Sequence, residues 1–458
     1  MDFRQSRPLA YAPSSQREGR AARGGRRVAV LLCLIPAVYL LATAGYALLH
    51  ADHYAADLAR QLRYVIVPGA IALGLILAAL RLPRGAALNL GIVALSILAT
   101  LFLFESWLTL RLLPRQGDIV GVVGEGVDLD PYRRNLPPAY TIKGLNATLE
   151  VTALDRAALS AIPDQPLMLC STGGQPVTYR TDAYGLRNPP DLAPGPADVL
   201  VLGDSFVEGL CLPDGQGVTE QLRARVAGPL VNTGSRGAGP LYELAVLGRY
   251  GPVFTPRVTL MAFFEGNDWE NLENEVKEGW LAQALDPAAD FGSPDWSPAD
   301  LRAADAVIDG WWNTGAASLG EMLRRRSVLR NYFALANTAQ VLGLHYAKSM
   351  TPSPVFPVLL HRATQIAQGW GGRMVMVYIP AHDRYAGLIR SGFVMDGLRR
   401  MVLDAAAEAG MPVIDLTDSF DRHPDPRSLY APDSHFSAKG AALAADEIAA
   451  GLARLDPA

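Results

Sequence analysis

The sequence predicts an α/β domain built on a parallel sheet with helices on both faces, preceded by transmembrane helices. Three observations carry this expectation. Short apolar runs alternate with helical periodicity through the C-terminal half. Three long apolar runs crowd the first quarter. Between them, Asp198-Val199-Leu200-Val201-Leu202-Gly203-Asp204-Ser205-Phe206 ends a buried strand on a serine whose hydroxyl would surface at the strand tip.

The 458 residues leave room for two or three domains, or for one large domain and a membrane part. Apolar runs cover Val28 to Leu49, Tyr64 to Leu80 and Ala86 to Leu110. Each is near or above the ~20 residues that a bilayer-crossing helix needs. The membrane region is expected over residues 28–113, with its second helix ending by residue 82. That second run is short and carries Pro68 and Gly69, which membrane helices tolerate.

Arg4, Arg7, Arg17, Arg20, Arg23, Arg26 and Arg27 predict a cytoplasmic tail over residues 1–27. Arg81 and Arg84 fit a second cytoplasmic loop, whereas Asp52, Asp57, Arg60 and Arg63 balance one another in a loop suited to the outer side. Three crossings then put everything after Leu113 outside. The expected location is a bacterial inner membrane, multi-pass, with the C-terminal domain in the periplasm or exterior. A cleaved signal peptide ending near Ala42-Thr43-Ala44 is the alternative for the first run, and it leaves that domain on the same side. Glu105 is expected at the membrane–water interface.

A formal net charge of −4 gives no reason to expect a nucleic-acid partner. The cysteines are Cys33, Cys170 and Cys211, with no Cys-x-x-Cys pair, so neither a zinc site nor any other metal or cofactor is expected. Outside the cytoplasm, Cys170 and Cys211 could form a disulfide bracing the loop behind Ser205; two buried free thiols are the alternative.

Residues 114–196 read as an irregular, partly β lead-in segment packed on the domain at 197–458. Strands are predicted at Val199–Leu202, Leu230–Asn232, Val258–Phe264, Met374–Ile379 and Val413–Leu416. Helices are predicted at Thr219–Val226, Leu241–Tyr250, Val355–Gln368, Val394–Ala409 and Ala438–Leu452. Over 270–350 the pattern breaks, in a stretch too long for a plain connection. It holds Trp280, Trp296, Trp311, Trp312, the run Arg324-Arg325-Arg326, and helical segments around Ala303–Ile308 and Ser327–Val341. An insertion over the C-terminal edge of the sheet is expected, its aromatics forming either their own core or a sugar-stacking surface.

In an open α/β sheet, ligands bind beyond the carboxyl ends of the strands. Ser205, Gly237 and Asn267 each follow a predicted strand, and Asp433 and His435 precede the last helix, so all five can reach one edge. A serine hydroxyl needs a base within hydrogen-bond reach, a role for His435, whose imidazole Asp433 would orient. The Ser205 and Gly237 N–H groups and the Asn267 amide could meet an oxyanion. His382-Asp383 could line the same pocket, and His423 between Asp421 and Asp425 could look like a metal cluster; solvated loop features are the plainer reading of each. Glu265 either bonds within the site or fixes its turn.

The set Gly203-Asp204-Ser205-Phe206, Asn232…Gly237, Gly266-Asn267-Asp268 and Asp433-Ser434-His435 resembles the four blocks of the SGNH (GDSL) hydrolases. The resemblance covers roughly Thr181 to Leu452, including the lead-in Thr181-Asp182-Ala183-Tyr184-Gly185-Leu186-Arg187. It implies a flavodoxin-like three-layer domain and ester or acyl-transfer chemistry, with Ser205, His435, Asp433, Gly237 and Asn267 in the roles above. One departure is the Asp-x-His spacing, where the family commonly has Asp-x-x-His; it is similar to the SGNH-like proteins of alginate O-acetylation. Asp425, Asp421 or a Ser-His dyad therefore stay open as alternatives. The implied activity is that of a membrane-anchored serine esterase or O-acyltransferase, acting on an acylated polysaccharide or lipid ester of the cell envelope. The alternative is a catalytically silent envelope protein that binds glycans or an assembly partner.

Overall fold

The computed structural model describes residues 15–55, 58–112, 127–314, 319–344, 352–388 and 392–455. Arg4, Arg7 and the boundary expected at 113–114 lie outside them. The chain divides into two units, one of Met1–Arg111 with Arg330–Thr338, the other of Leu112–Leu329 with Ala339–Ala458.

The first unit is built on the helices Ser15–Leu49, Val67–Arg81 and Arg84–Leu112. Three helical stretches, Gly24–Leu49, Leu62–Arg81 and Arg84–Arg111, are long and apolar enough to cross a membrane. Small residues set their approach. Ala37 and Ala72 pack with Leu75, and a Cβ on Gly91 would lie only 2.8 Å from that of Leu32. Pro68 is the second residue of the helix that follows a π-helical turn, Leu62–Ile66, a place where its missing N–H is tolerated. Arg26 donates to the carbonyls of Ala79, Leu80 and Leu82, groups the helix end would otherwise leave orphaned.

Three expectations change here. The stretch read as one insertion over 270–350 is divided, because Arg330–Thr338 belongs to the unit of apolar helices. The single helix expected over Ser327–Val341 is two, Arg326–Phe333 and Ala336–Leu342, broken where Leu335 takes φ +52°. Glu105, expected at the interface, is fully buried against that second helix start.

The second unit carries an antiparallel hairpin, β1 (Pro166–Thr172) and β2 (Gln175–Arg180), and a five-stranded parallel sheet. The sheet strands are β3 (Val199–Leu202), β4 (Leu230–Asn232), β5 (Val258–Phe264), β6 (Arg373–Ile379) and β7 (Val413–Asp415). Their order is β4-β3-β5-β6-β7, the flavodoxin-like arrangement. Every residue of β3 and β5 is buried, which is why these strands read as unbroken apolar runs rather than alternating ones.

Successive side chains feed two cores. Leu200 and Leu202 face one layer with residues of the helices Pro240–Phe254 and Val355–Gln368. Val199 and Val201 face the other, with Val218–Arg223 and Ala438–Leu455. The predicted α/β class and parallel sheet hold. Strand order reverses between β3 and β5, and in open sheets of this kind ligands bind beyond the carboxyl ends at such a reversal.

Candidate active site

Ser205 leaves β3 as the first residue of a four-residue helix, Ser205–Glu208. Asp204 caps it, accepting the Phe206 N–H at 2.9 Å, and Gly209 closes it at φ +80°, a conformation few side chains tolerate. The hydroxyl is thereby fixed at the tip of a strand that cannot move. Ser205 Oγ lies 2.8 Å from His435 Nε2. His435 Nδ1 approaches Asp433 Oδ2 at 3.3 Å, off the line of a hydrogen bond, and the backbone N–H of His435 donates to Asp433 Oδ1 at 3.2 Å. The Asp433 carboxylate thus sits beside the Nδ1 edge of the imidazole, where it can set the ring's orientation.

Phe206 supports the imidazole, its ring centroid 5.1 Å away, and is itself wedged against Phe264 and Phe436. Burial alone would raise the Asp433 carboxyl, but hydrogen bonding and charge from His435 outweigh it and hold it below the usual carboxylate value. No contact brings Asp421 or Asp425 to His435 among the described residues. His423 accepts the Asp425 N–H within its own loop, and no metal-ligand cluster occurs among the described residues.

The oxyanion candidates occupy the two loops flanking Ser205. Asn267 follows β5, and its side-chain amide makes no hydrogen bond among the described residues; Oδ1 is buried without a partner. Asp268 Oδ2 accepts the Phe264 N–H at 2.6 Å, closing the Gly266-Asn267 turn. Gly237 follows β4 at φ +76°, which glycine adopts without strain. A buried ion pair positions that loop: Arg236 NH2 meets Glu208 Oε1 at 2.8 Å, and the Arg236 N–H donates to Glu208 Oε2. Asn232, fully buried, ties the same loops by donating to Val207 O and accepting from Gly234 N.

Other expected residues fall around this centre. Glu265 fixes its turn, accepting from Tyr378 Oη at 2.6 Å, the Ala381 N–H and the Arg384 guanidinium. His382 is half-buried, with Nδ1 3.4 Å from Ser434 Oγ, and burial pushes its imidazole down. Cys170 on β1 and Cys211 in the loop beyond Ser205 lie side by side, with Cα atoms 5.5 Å apart, a separation that suits a disulfide.

Sequence reading missed the Glu208–Arg236 pair and a buried acidic group. The only signals were their places, Glu208 just past Ser205 and Arg236 just before Gly237. Asp204, Glu243 and Asp268 are all buried and repel one another. Burial pushes Asp204 up to about 6 against the Phe206 N–H that holds it down. Burial, then the neighbouring carboxyls, push Glu243 and Asp268 well above their usual range, and neither Glu243 oxygen finds a donor among the described residues.

A cavity of about 630 Å³ is lined by residues such as Glu150, Arg249, Asp290 and Trp296 and holds none of the groups just described. Chemistry rather than cavity size therefore locates the site. Trp280 and Trp312 are buried in the main core rather than in a core of the insertion's own, while Trp296 lies partly buried at the cavity wall.

No family model matches the chain, and no curated protein matches it. Among solved structures it is similar to a lipase/acylhydrolase from Enterococcus faecalis, at 14% identity and a TM-score of 0.30 over 56% of this chain and 94% of that one. It is also similar to a member of the lipolytic protein G-D-S-L family from Veillonella parvula, at 14% identity and a TM-score of 0.27 over 54% and 94%. Strand order and side-chain geometry, not these likenesses, carry the fold.

Proposed function

We propose that this chain is a membrane-anchored serine esterase or O-acyltransferase, with Ser205 as nucleophile, acting on ester-linked acyl groups of a cell-envelope substrate outside the cytoplasm. The observation that carries the reading is the 2.8 Å approach of Ser205 Oγ to His435 Nε2, with Asp433 at the other ring nitrogen.

His435 takes the hydroxyl proton as Ser205 Oγ attacks the ester carbonyl carbon. The carbonyl π bond opens, and the oxyanion is met by the Ser205 and Gly237 N–H groups and the Asn267 amide. Collapse expels the alkoxide, which leaves as the alcohol after taking the proton from His435. The acyl-serine then passes its acyl group to water or to a sugar hydroxyl by the same steps in reverse order. The place of Asn267 at the start of the helix after β5 supports its part as a side-chain N–H donor.

The membrane part of the reading rests on the three apolar helices and on the arginines that precede the first of them. A catalytically silent binder has no use for a hydroxyl and an imidazole held at proton-transfer distance. A fluorophosphonate probe separates the two. Labelling of the full-length protein that is lost in Ser205→Ala is expected. Absence of labelling in both would favour the binder.

A further inference from the structure

The segment Arg330–Thr338 sits among the apolar helices, and one buried carboxylate holds it there. Glu105 Oε2 accepts the Thr338 N–H and hydroxyl, both at 2.7 Å. Its Oε1 accepts from the Asn337 side-chain amide at 2.8 Å and from the Asn337 N–H at 3.2 Å. Tyr39 Oη donates to the Phe333 carbonyl at 2.9 Å, and the hydroxyls of Tyr332 and Ser106 meet at 3.0 Å.

Position along the helices makes this unusual. Glu105 lies six residues before the end of the stretch Arg84–Arg111, and Tyr39 ten before the end of Gly24–Leu49. At about 1.5 Å per residue these depths are roughly 9 and 15 Å below the same outer ends. Irregular backbone at such depth survives only where protein satisfies it. The break at Leu335 leaves the first N–H groups of the helix Ala336–Leu342 without intrahelical partners, and the Glu105 carboxylate supplies them. A glutamate in a membrane span is costly unless paired, and four donors on one carboxylate account for its presence.

The preceding helix has a surface to match. Leu329 and Phe333, one turn apart, are 45% and 58% exposed. Arg326 and Arg330 form the adjoining stripe, and Arg324 and Arg325 precede them. Apolar residues flanked by long basic side chains suit a boundary where the stems lie on acyl chains and the guanidinium groups reach phosphate.

We propose that residues 326–338 form a re-entrant, lipid-facing part of the membrane region, in which the helix Arg326–Phe333 enters from the anionic phospholipid headgroups and Glu105 clasps the turn that follows. The inference rests on the membrane-crossing reading of the three helices and is independent of the serine chemistry.

The test is spin-label accessibility in the full-length protein, with Cys33→Ala, in phosphatidylethanolamine–phosphatidylglycerol vesicles. Single labels go at Leu329, at Phe333, at the exposed span position Leu103 and at the exposed loop position Ala288. Labels at Leu329 and Phe333 should match Leu103, reached by oxygen and shielded from a water-soluble nickel chelate. Glu105→Ala, and separately Asn337→Ala with Thr338→Val, should bring the Phe333 label to the nickel accessibility of Ala288. A nickel-accessible Phe333 beside a lipid-like Leu103 would overturn the inference and leave the membrane reading standing. A nickel-accessible Leu103 would overturn that reading itself. A Phe333 label shielded from both reagents would mark a protein contact and overturn lipid as the occupant.

Discussion

Ser205, itself buried, owes its fixed position to the strand behind it and, in the proposed reaction, its activation to the imidazole in front of it. The four residues of β3 are fully enclosed, so the turn at Asp204 has a fixed base. Asp433 is the residue whose role the geometry sharpens most. It alone among the three aspartates considered contacts His435, yet it is 41% exposed and its approach is off-axis. Removing a well-aligned, buried acid of such a set costs about 10⁴-fold in turnover. For Asp433→Asn we expect a smaller loss, on the order of 10²–10³-fold in kcat, with little change in KM. Asp421→Asn and Asp425→Asn should leave ester turnover unchanged. An equal loss at either would move the acid elsewhere.

Between elements, the decisive link is the Glu208–Arg236 pair, which joins the helix after β3 to the loop after β4. Both side chains are almost wholly enclosed, at 4% and 7% exposure. Removing one partner of such a pair strands a charge and typically costs about 3–5 kcal/mol. Arg236→Ala should show that loss in denaturant unfolding, and Glu208→Gln in the same chain should return part of it. A destabilisation under 1 kcal/mol would contradict this account of the loops (~RT-scale, as for an exposed pair). Strands were legible here because two-sided burial writes itself as an apolar run, as in Val258–Phe264. The pairing of Glu208 with Arg236 was not, since nothing in local spacing says which of several arginines a buried acid will meet. The break at Leu335 was equally hidden: apolar periodicity continues across it, and only the bonds to Glu105 explain why the chain turns there.

Across the whole molecule, buried acids should shape stability. Asp204, Glu243 and Asp268 are all raised above their ordinary values, so the folded state holds their protons more tightly than the unfolded chain does. Their contribution is fully present below the unfolded carboxylate range and is lost as pH rises through the folded values. Asp433, held low, works in the opposite sense, losing its contribution as pH falls. Asp182, Glu220 and Glu275 are raised as well, and only Asp433 and the lowered imidazole of His382 oppose them among the described residues, so the domain should melt at lower temperature at pH 8 than at pH 5. Glu243→Gln removes one titration, so it should raise the melting temperature at pH 8 more than at pH 5. Equal shifts at both values would contradict the buried-acid account. The sequence announced the two-part plan through its apolar runs and strand-helix rhythm. It gave no sign of this acidic group, because Glu243 sits in a helix whose every neighbour looks like ordinary core.

The account turns on a covalent bond to one oxygen atom. Full-length protein in lipid, given an activated acyl ester and quenched in acid, should carry the acyl mass on the peptide containing Ser205. The adduct should vanish in Ser205→Ala and fall sharply in His435→Ala. An acyl group found on another residue, or turnover of the ester at the wild-type rate in Ser205→Ala, would contradict it.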